Sequence, residues 1–117
     1  MRILLVEDHA DTLEVLGAML RKLGHAITTA TTLADARRNC EQDEFDLLIS
    51  DIGLPDGDGW ELGALATHRG LKAIALTGYG MPADVASSRE SGFCSHLLKP
   101  VKFTDLQLAI AKCEEPR

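Results

Sequence analysis

Five residues with side chains suited to acid, metal or phosphate chemistry stand at the ends of short apolar runs. They are Glu7, Asp8, Asp51, Thr77 and Lys99. Carboxylates gathered in one place repel each other unless a cation neutralises them. If the fold brings these five together, they form a site for a hard divalent cation beside a lysine ammonium group and a hydroxyl donor.

The apolar runs themselves predict five strands. Three of them show no alternation between apolar and polar residues, which is typical of strands buried on both faces of a sheet. The five runs are Ile3–Val6, Ala26–Thr29, Leu47–Ile49, Ala73–Leu76 and His96–Leu98.

Helical spacing of apolar residues separates these runs. Leu13, Leu16, Leu20 and Leu23 mark the first helix, and Gly24 follows it as a stop signal. The second helix carries Leu33, Ala36 and Cys40 and is preceded by Thr32, which with Asp35 resembles a capping box. The last carries Phe103, Leu106, Ile110 and Cys113. A third helix is interrupted by Gly63, and a polar fourth helix is expected near Pro82–Ser91.

Strands that alternate with helices predict an α/β fold. We expect a flavodoxin-like (βα)5 doubly wound sandwich whose five-stranded parallel sheet has the order 2-1-3-4-5. In such a sheet ligands bind beyond the carboxyl ends of the strands, where the strand order reverses. With the second strand at an edge, the four other strand ends meet there, and each carries one or more of the five polar residues.

Magnesium suits this set better than calcium. Mg2+ prefers oxygen ligands and is often held by one or two carboxylates together with a substrate phosphate. The acidic, glycine-containing segment Asp51–Gly59 lacks the terminal Glu of a calcium loop. Lys99 opposite such a metal provides positive charge on two sides of the site, an arrangement suited to a phosphoryl group in transfer.

Composition narrows the alternatives. A length of 117 residues with 45% hydrophobic residues is expected to form one domain, 1–117. A formal net charge of −6 disfavours direct nucleic-acid binding, and no apolar stretch is long enough for a membrane span, so we expect a cytoplasmic protein. Three widely spaced cysteines are expected to stay reduced.

The motifs together resemble the receiver domain of two-component response regulators over essentially the whole chain. They are Leu5-Val6-Glu7-Asp8, Ser50-Asp51-Ile52-Gly53-Leu54-Pro55 with Gly57 and Gly59, Ala75-Leu76-Thr77-Gly78, and Leu98-Lys99-Pro100. Two stretches, 75–80 and 96–101, look most like receivers of hybrid histidine kinases. Both a stand-alone protein and an excised domain of a longer kinase are compatible with the sequence.

The resemblance implies a role for each site residue. Asp51 would accept a phosphoryl group from a histidine kinase or a histidine phosphotransfer domain. Asp8, Asp51 and the backbone carbonyl of Gly53 would bind Mg2+, with Glu7 acting largely through water. Lys99 and Thr77 would contact the phosphoryl oxygens, and Pro100 would follow a cis peptide bond.

One position departs from the family pattern. Most relatives carry Tyr or Phe three residues before the lysine, whereas this chain has His96. Thr77 and His96 are therefore the expected switch residues, with the histidine replacing the usual aromatic partner.

The expected output is a surface change. Phosphorylation would shift a two-state equilibrium at the surface formed by the fourth helix, the fifth strand and the fifth helix, within about Pro82–Lys112. The protein would catalyse its own phosphorylation, and self-dephosphorylation is left open, without being a multiple-turnover enzyme. It would be a monomer or weak dimer with an unassigned output partner.

Two other functions remain open. One is a phosphorylation-independent interaction module on the same fold. The other is a small aspartyl-phosphate hydrolase, which is disfavoured because haloacid-dehalogenase-type motifs place a second Asp two residues after the nucleophile, and position 53 is Gly.

Overall fold

Five strands and four helices make up most of the described chain. The structure, a computed structural model, describes residues 1–54, 56–58, 60–78 and 93–114. The strands are β1 (Arg2–Val6), β2 (Ala26–Ala30), β3 (Leu47–Asp51), β4 (Lys72–Thr77) and β5 (Ser95–Leu98), and the helices are α1 (Ala10–Lys22), α2 (Leu33–Gln42), α3 (Trp60–His68) and a last helix (Phe103–Glu114).

The five strands form one parallel sheet in the order β2-β1-β3-β4-β5. The predicted order 2-1-3-4-5 is therefore confirmed. All five residues of the central strand β3 are buried, whereas the edge strand β2 has only Ala30 buried. The central position of β3 explains why its apolar residues do not alternate with polar ones, because helices cover both faces of a central parallel strand.

Successive residues of each strand face opposite sides of the sheet, and this divides the core in two. In β1, Leu4 and Val6 pack with residues of α2 and α3, while Ile3 and Leu5 pack with residues of α1 and the last helix. The fold is thus a three-layer sandwich with helices on both sides of the sheet, as predicted.

Local signals at the helix ends are mostly confirmed. The Thr32 hydroxyl accepts a hydrogen bond from the Asp35 N–H at 3.1 Å, which caps α2. Gly24 follows α1 with φ of 91°, a conformation that favours glycine. Gly63 does not interrupt α3, which runs continuously from Trp60 to His68. The predicted fourth helix near Pro82–Ser91 lies outside the described residues.

The connection from β3 to α3 contains a short antiparallel ribbon, Gly53–Leu54 with Gly57–Asp58. Within this connection, Asp56 accepts hydrogen bonds from the N–H groups of Leu33 and Ala34 at 2.7 and 3.1 Å. A carboxylate at these N–H groups satisfies donors that have no partner within the helix. The segment that follows Asp51 is therefore tied to the first turn of α2.

Two of the three cysteines are paired, contrary to the expectation that all stay reduced. Cys94, just before β5, forms a disulfide with Cys113 in the last turn of the last helix, and their Cα atoms are 5.9 Å apart. This helix packs on β5, so its final turn lies beside the start of that strand. Cys40 is the free cysteine, and it is buried in α2.

None of the helices in the described part of the chain combines the length and the apolar character that crossing a membrane requires.

Candidate functional site

Three of the predicted site residues meet in direct contact at the carboxyl ends of the strands. The Lys99 Nζ donates to Asp51 Oδ2 at 2.8 Å and to both carboxylate oxygens of Glu7 at 3.0 Å. The two acidic residues thus share one ammonium group. The sequence-based prediction that these strand ends converge is confirmed for these residues.

Strand register accounts for the contact. Val6 of β1 is paired with Ser50 of β3, so Glu7 and Asp51 follow as neighbours on adjacent strands. Lys99 follows β5, and its backbone N–H donates to the carbonyl of Thr77 at 2.7 Å, which extends the β4–β5 pairing by one step. The peptide bond from Lys99 to Pro100 is cis, as the resemblance implied.

The site is a buried group of charges. Glu7 is 0% exposed and Asp51 is 3% exposed, while the lysine side chain keeps 17% of its surface. In the described part of the chain, every buried polar side-chain atom has a hydrogen-bond partner. Burying charge is costly unless it is paired and hydrogen-bonded, and here both buried carboxylates accept hydrogen bonds from the one ammonium group.

The two carboxyl groups respond differently to this environment. Burial raises the pKa of Glu7, and the hydrogen bonds from Lys99 and His9 offset this only in part. For Asp51, burial acts in the same direction, but hydrogen bonds from Lys99 and from the Gly53 N–H outweigh it and hold its pKa below the usual value. The surroundings of Asp51 therefore favour its ionised form more than those of Glu7 favour an ionised Glu7.

The lysine is held in its charged form. Burial acts to lower the pKa of Lys99, but its hydrogen bonds to Asp51 and Glu7 outweigh burial and raise it. A permanently charged ammonium group 2.8 Å from Asp51 Oδ2 is available to pair with negative charge that arrives at that carboxylate.

Asp8 and His9 complete the acidic group on its outer side. One ligand atom from each of Glu7, Asp8, His9 and Asp51 lies within 4.8 Å of the others. Asp8 is more open than Glu7, with 28% of its side chain exposed. His9 Nδ1 lies 2.9 Å from Glu7 Oε1 and 3.3 Å from Asp8 Oδ1, and these carboxylates raise its pKa.

Thr77, Gly53 and His96 are the other residues predicted for the site or its switch. Thr77 is buried, and its hydroxyl donates to the carbonyl of Leu97 at 3.3 Å. The Gly53 N–H donates to Asp51 Oδ1 at 2.8 Å. His96 is exposed on β5 and pairs across the sheet with Ala75. Of these three, Gly53 contacts Asp51 directly, and the Thr77 hydroxyl is engaged with the neighbouring strand.

Sequence reasoning missed two features of the site. It placed Lys99 opposite the acidic residues but did not anticipate that the ammonium group bridges Glu7 and Asp51. It also assigned His9 no role in the site. The position of His9 directly after Glu7-Asp8 was the available signal, because a residue next to a strand-end carboxylate lies within reach of it.

The arrangement is suited to receiving a phosphate group. It combines an ionised buried carboxylate, a charged amine beside it and further acidic oxygens that suit a hard divalent cation. These oxygens come from Glu7, Asp8 and Asp51, so the donor set fits magnesium.

Comparison with known proteins agrees with this chemistry. A family profile described as the response regulator receiver domain matches residues 3–111. The two-component response regulator ARR11 of Arabidopsis thaliana is 32% identical over 114 residues, a match that covers 92% of this chain and 21% of that protein. The chain therefore spans about a fifth of the length of that relative. An uncharacterised 14.6 kDa protein of Leptolyngbya boryana is 38% identical over 105 residues, covering 86% of this chain and 80% of its own.

Solved structures share the fold. The receiver domain of sensor histidine kinase PA1611 from Pseudomonas aeruginosa, with a magnesium ion coordinated in its active-site cleft, superposes with a TM-score of 0.84. It is 30% identical, and the match covers 97% of this chain and 98% of that one. A CheY-like receiver domain protein from Methanospirillum hungatei superposes with a TM-score of 0.85 at 32% identity, covering 95% and 90% of the two chains.

Proposed function

Since this chain belongs to the response regulator receiver domain family, we propose that Asp51 is its phosphoacceptor and that residues 1–117 act as a single receiver domain. The donor would be a phosphohistidine on a sensor histidine kinase or a histidine phosphotransfer domain. The observation that carries the proposal is the 2.8 Å contact between Lys99 Nζ and Asp51 Oδ2, which pairs the buried Asp51 carboxylate with a charged amine.

In the proposed transfer, a carboxylate oxygen of Asp51 forms a bond to phosphorus as the phosphorus–nitrogen bond of the phosphohistidine breaks. The imidazole of the donor keeps the electron pair of that bond and takes up a proton from solvent water. Lys99, already charged and adjacent, pairs with the oxygens of the transferred group. Catalysis of this kind rests on positioning and charge, and the contact between Lys99 and Asp51 is in place before the donor arrives.

The residues that would hold Mg2+ are Asp8, Asp51 and the carbonyl of Gly53, with Glu7 outside the direct ligands. The structure supports this division because Glu7 is fully buried and accepts two hydrogen bonds from Lys99, whereas Asp8 is partly open to solvent. When bound, the metal would supply positive charge to the transferred phosphoryl oxygens. Metal binding would be favoured because the cation offsets the repulsion among the three carboxylates.

The proposed switch acts through Thr77. Its hydroxyl donates to the carbonyl of Leu97, a neighbour of the exposed face of β5. A phosphoryl group on Asp51 would compete with the Leu97 carbonyl for that hydroxyl. Loss of the hydrogen bond to β5 would then change the conformation of the face that includes His96 and Leu98. The described part of the expected output surface is β5 with the last helix, where Leu98 and Leu108 are 57% and 69% exposed.

Phosphorylation with a small phosphodonor tests the acceptor assignment. The wild-type chain, with Mg2+ and acetyl phosphate, should gain one phosphoryl group that is acid-stable and base-labile, measured by intact mass. Asp51→Asn should fold and gain none, while Asp43→Asn, an exposed control at the end of α2, should label like wild type. Full labelling of Asp51→Asn would refute the assignment, and many turnovers per chain would favour a hydrolase.

A further inference from the structure

The ring of His9 is in direct contact with carboxylates of the proposed metal site. Its Nδ1 is 2.9 Å from Glu7 Oε1 and 3.3 Å from Asp8 Oδ1. Its backbone N–H also points to Glu7 Oε1, at 3.4 Å. Two ligands of one small divalent cation, each about 2.1 Å from it, are at most about 4.2 Å apart. The 3.3 Å between His9 Nδ1 and Asp8 Oδ1, an oxygen of a proposed direct ligand, lies within that limit, and Asp51 belongs to the same group of ligand atoms, which spans 4.8 Å.

The ring of His9 does not cap the helix that it precedes. His9 is the N-cap residue of α1, with φ −86° and ψ 116°, yet its side chain makes no capping hydrogen bond. The ring turns instead toward the carboxylates. With 70% of the side chain exposed, it has room to adjust to an ion without disturbing the core.

An imidazole nitrogen changes which ion a carboxylate site prefers. Mg2+ and Ca2+ are hard cations that favour oxygen ligands, whereas Mn2+, Co2+ and Zn2+ bind imidazole increasingly well. We propose that His9 is a direct metal ligand and that it makes this site favour first-row divalent ions, with Mn2+ as the test ion, over Mg2+. The inference rests on the proposed function, since it concerns the same acidic group.

The competing explanation is that His9 is only an internal counter-cation. A protonated ring between Glu7 and Asp8 offsets their charge when no ion is bound, and a metal would then displace it. The two explanations differ in whether nitrogen stays at the ion, and in whether loss of the ring alters the balance between Mn2+ and Mg2+.

Metal titration of matched variants separates them. His9→Gln replaces the nitrogen by an amide oxygen of similar reach, and His68→Gln changes an exposed histidine at the end of α3 as the control. Mn2+ affinity is measured from the EPR signal of the unbound ion, and Mg2+ affinity from its competition with Mn2+. Electron spin-echo modulation of bound Mn2+ reports whether a nitrogen is coordinated.

The expected result is that His9→Gln lowers the ratio of Mn2+ to Mg2+ affinity on the order of tenfold and removes the nitrogen modulation, while His68→Gln leaves both unchanged. An unchanged ratio, or the absence of nitrogen modulation in the wild type, overturns the inference. If His9→Gln is still phosphorylated at Asp51 with Mg2+, that result leaves the proposed function standing. Failure of the wild type to bind either ion would overturn both.

Discussion

Removing the lysine ammonium should destabilise the fold because it leaves two buried carboxylates without their shared cation. In Lys99→Met, the two bonds to Glu7 at 3.0 Å and the bond to Asp51 at 2.8 Å are lost. Breaking a buried pair by removing one partner costs about 3–5 kcal/mol. The remaining contact from His9 and the partial exposure of the lysine place our expectation near the lower end, at about 3 kcal/mol.

The measurement is urea unfolding without divalent ions, near neutral pH. Lys102→Met, at an exposed lysine, is the control and should stay within about 0.5 kcal/mol of wild type. The double variant Lys99→Met with Glu7→Gln should recover part of the loss, because one of the two unpaired charges is gone. A loss below about 1 kcal/mol, or no recovery in the double variant, would refute the reasoning.

The pH dependence has a definite sign. The pKa of Glu7 is already raised above its ordinary 4.5, and loss of the lysine raises it further. A raised carboxyl pKa means that the folded state binds the proton more tightly, so its stability contribution is fully present below 4.5 and is lost as pH rises through the folded pKa. The difference between Lys99→Met and wild type should therefore grow from acidic to neutral pH. Loss of the lysine also raises the pKa of Asp51, which acts in the same direction, so a constant difference would contradict the role of Lys99 at both carboxyl groups.

Two further predictions concern structure away from the acceptor. Under non-reducing conditions, thiol titration in denaturant should find one reactive group, Cys40. Reduction of the Cys94–Cys113 disulfide should lower the free energy of unfolding by about 3 kcal/mol, because the disulfide closes a loop with sequence separation 19 and so limits the conformational entropy of the unfolded chain. Three reactive thiols would contradict the pairing. Asp56→Ala should weaken amide-exchange protection in the first turn of α2, while Asp43→Ala at its other end should not. Because the pKa of Asp56 is lowered, chiefly by the N–H of Leu33, this stabilisation should be present above 3.8 and be lost as pH falls through the folded pKa. Equal protection in both variants would contradict the link to α2.

The positions of the strands were predictable because buried strands consist of successive apolar residues. Central strands such as Leu47–Asp51 are covered on both faces and need apolar residues in succession, so their positions follow from the sequence. The sheet order was also predicted, because with the second strand at an edge the four other strand ends converge and bring the acidic residues and the lysine together. The prediction that Gly63 interrupts the third helix was wrong, because a single glycine weakens a helix by only about 1 kcal/mol and packing against the sheet can offset that loss.

Contacts between distant residues were not predictable in the same way. The pairing of Cys94 with Cys113 depends on how the last helix packs against β5, and the two cysteines are 19 positions apart. The link from Asp56 to the first turn of α2 joins segments 23 positions apart. No local pattern reports such a contact, since each residue is compatible with many surroundings.

The sequence by itself determined which residues stand at the strand ends and therefore which groups compose the site. Only the tertiary structure decided how they share charge: one ammonium group between Glu7 and Asp51, and a histidine turned toward the acidic pair. The physical reason is that periodicity and composition reflect burial, which is a property of each position. Hydrogen-bond partners and pKa values depend on distances of a few ångströms, and those distances are set by the packing of the whole sheet.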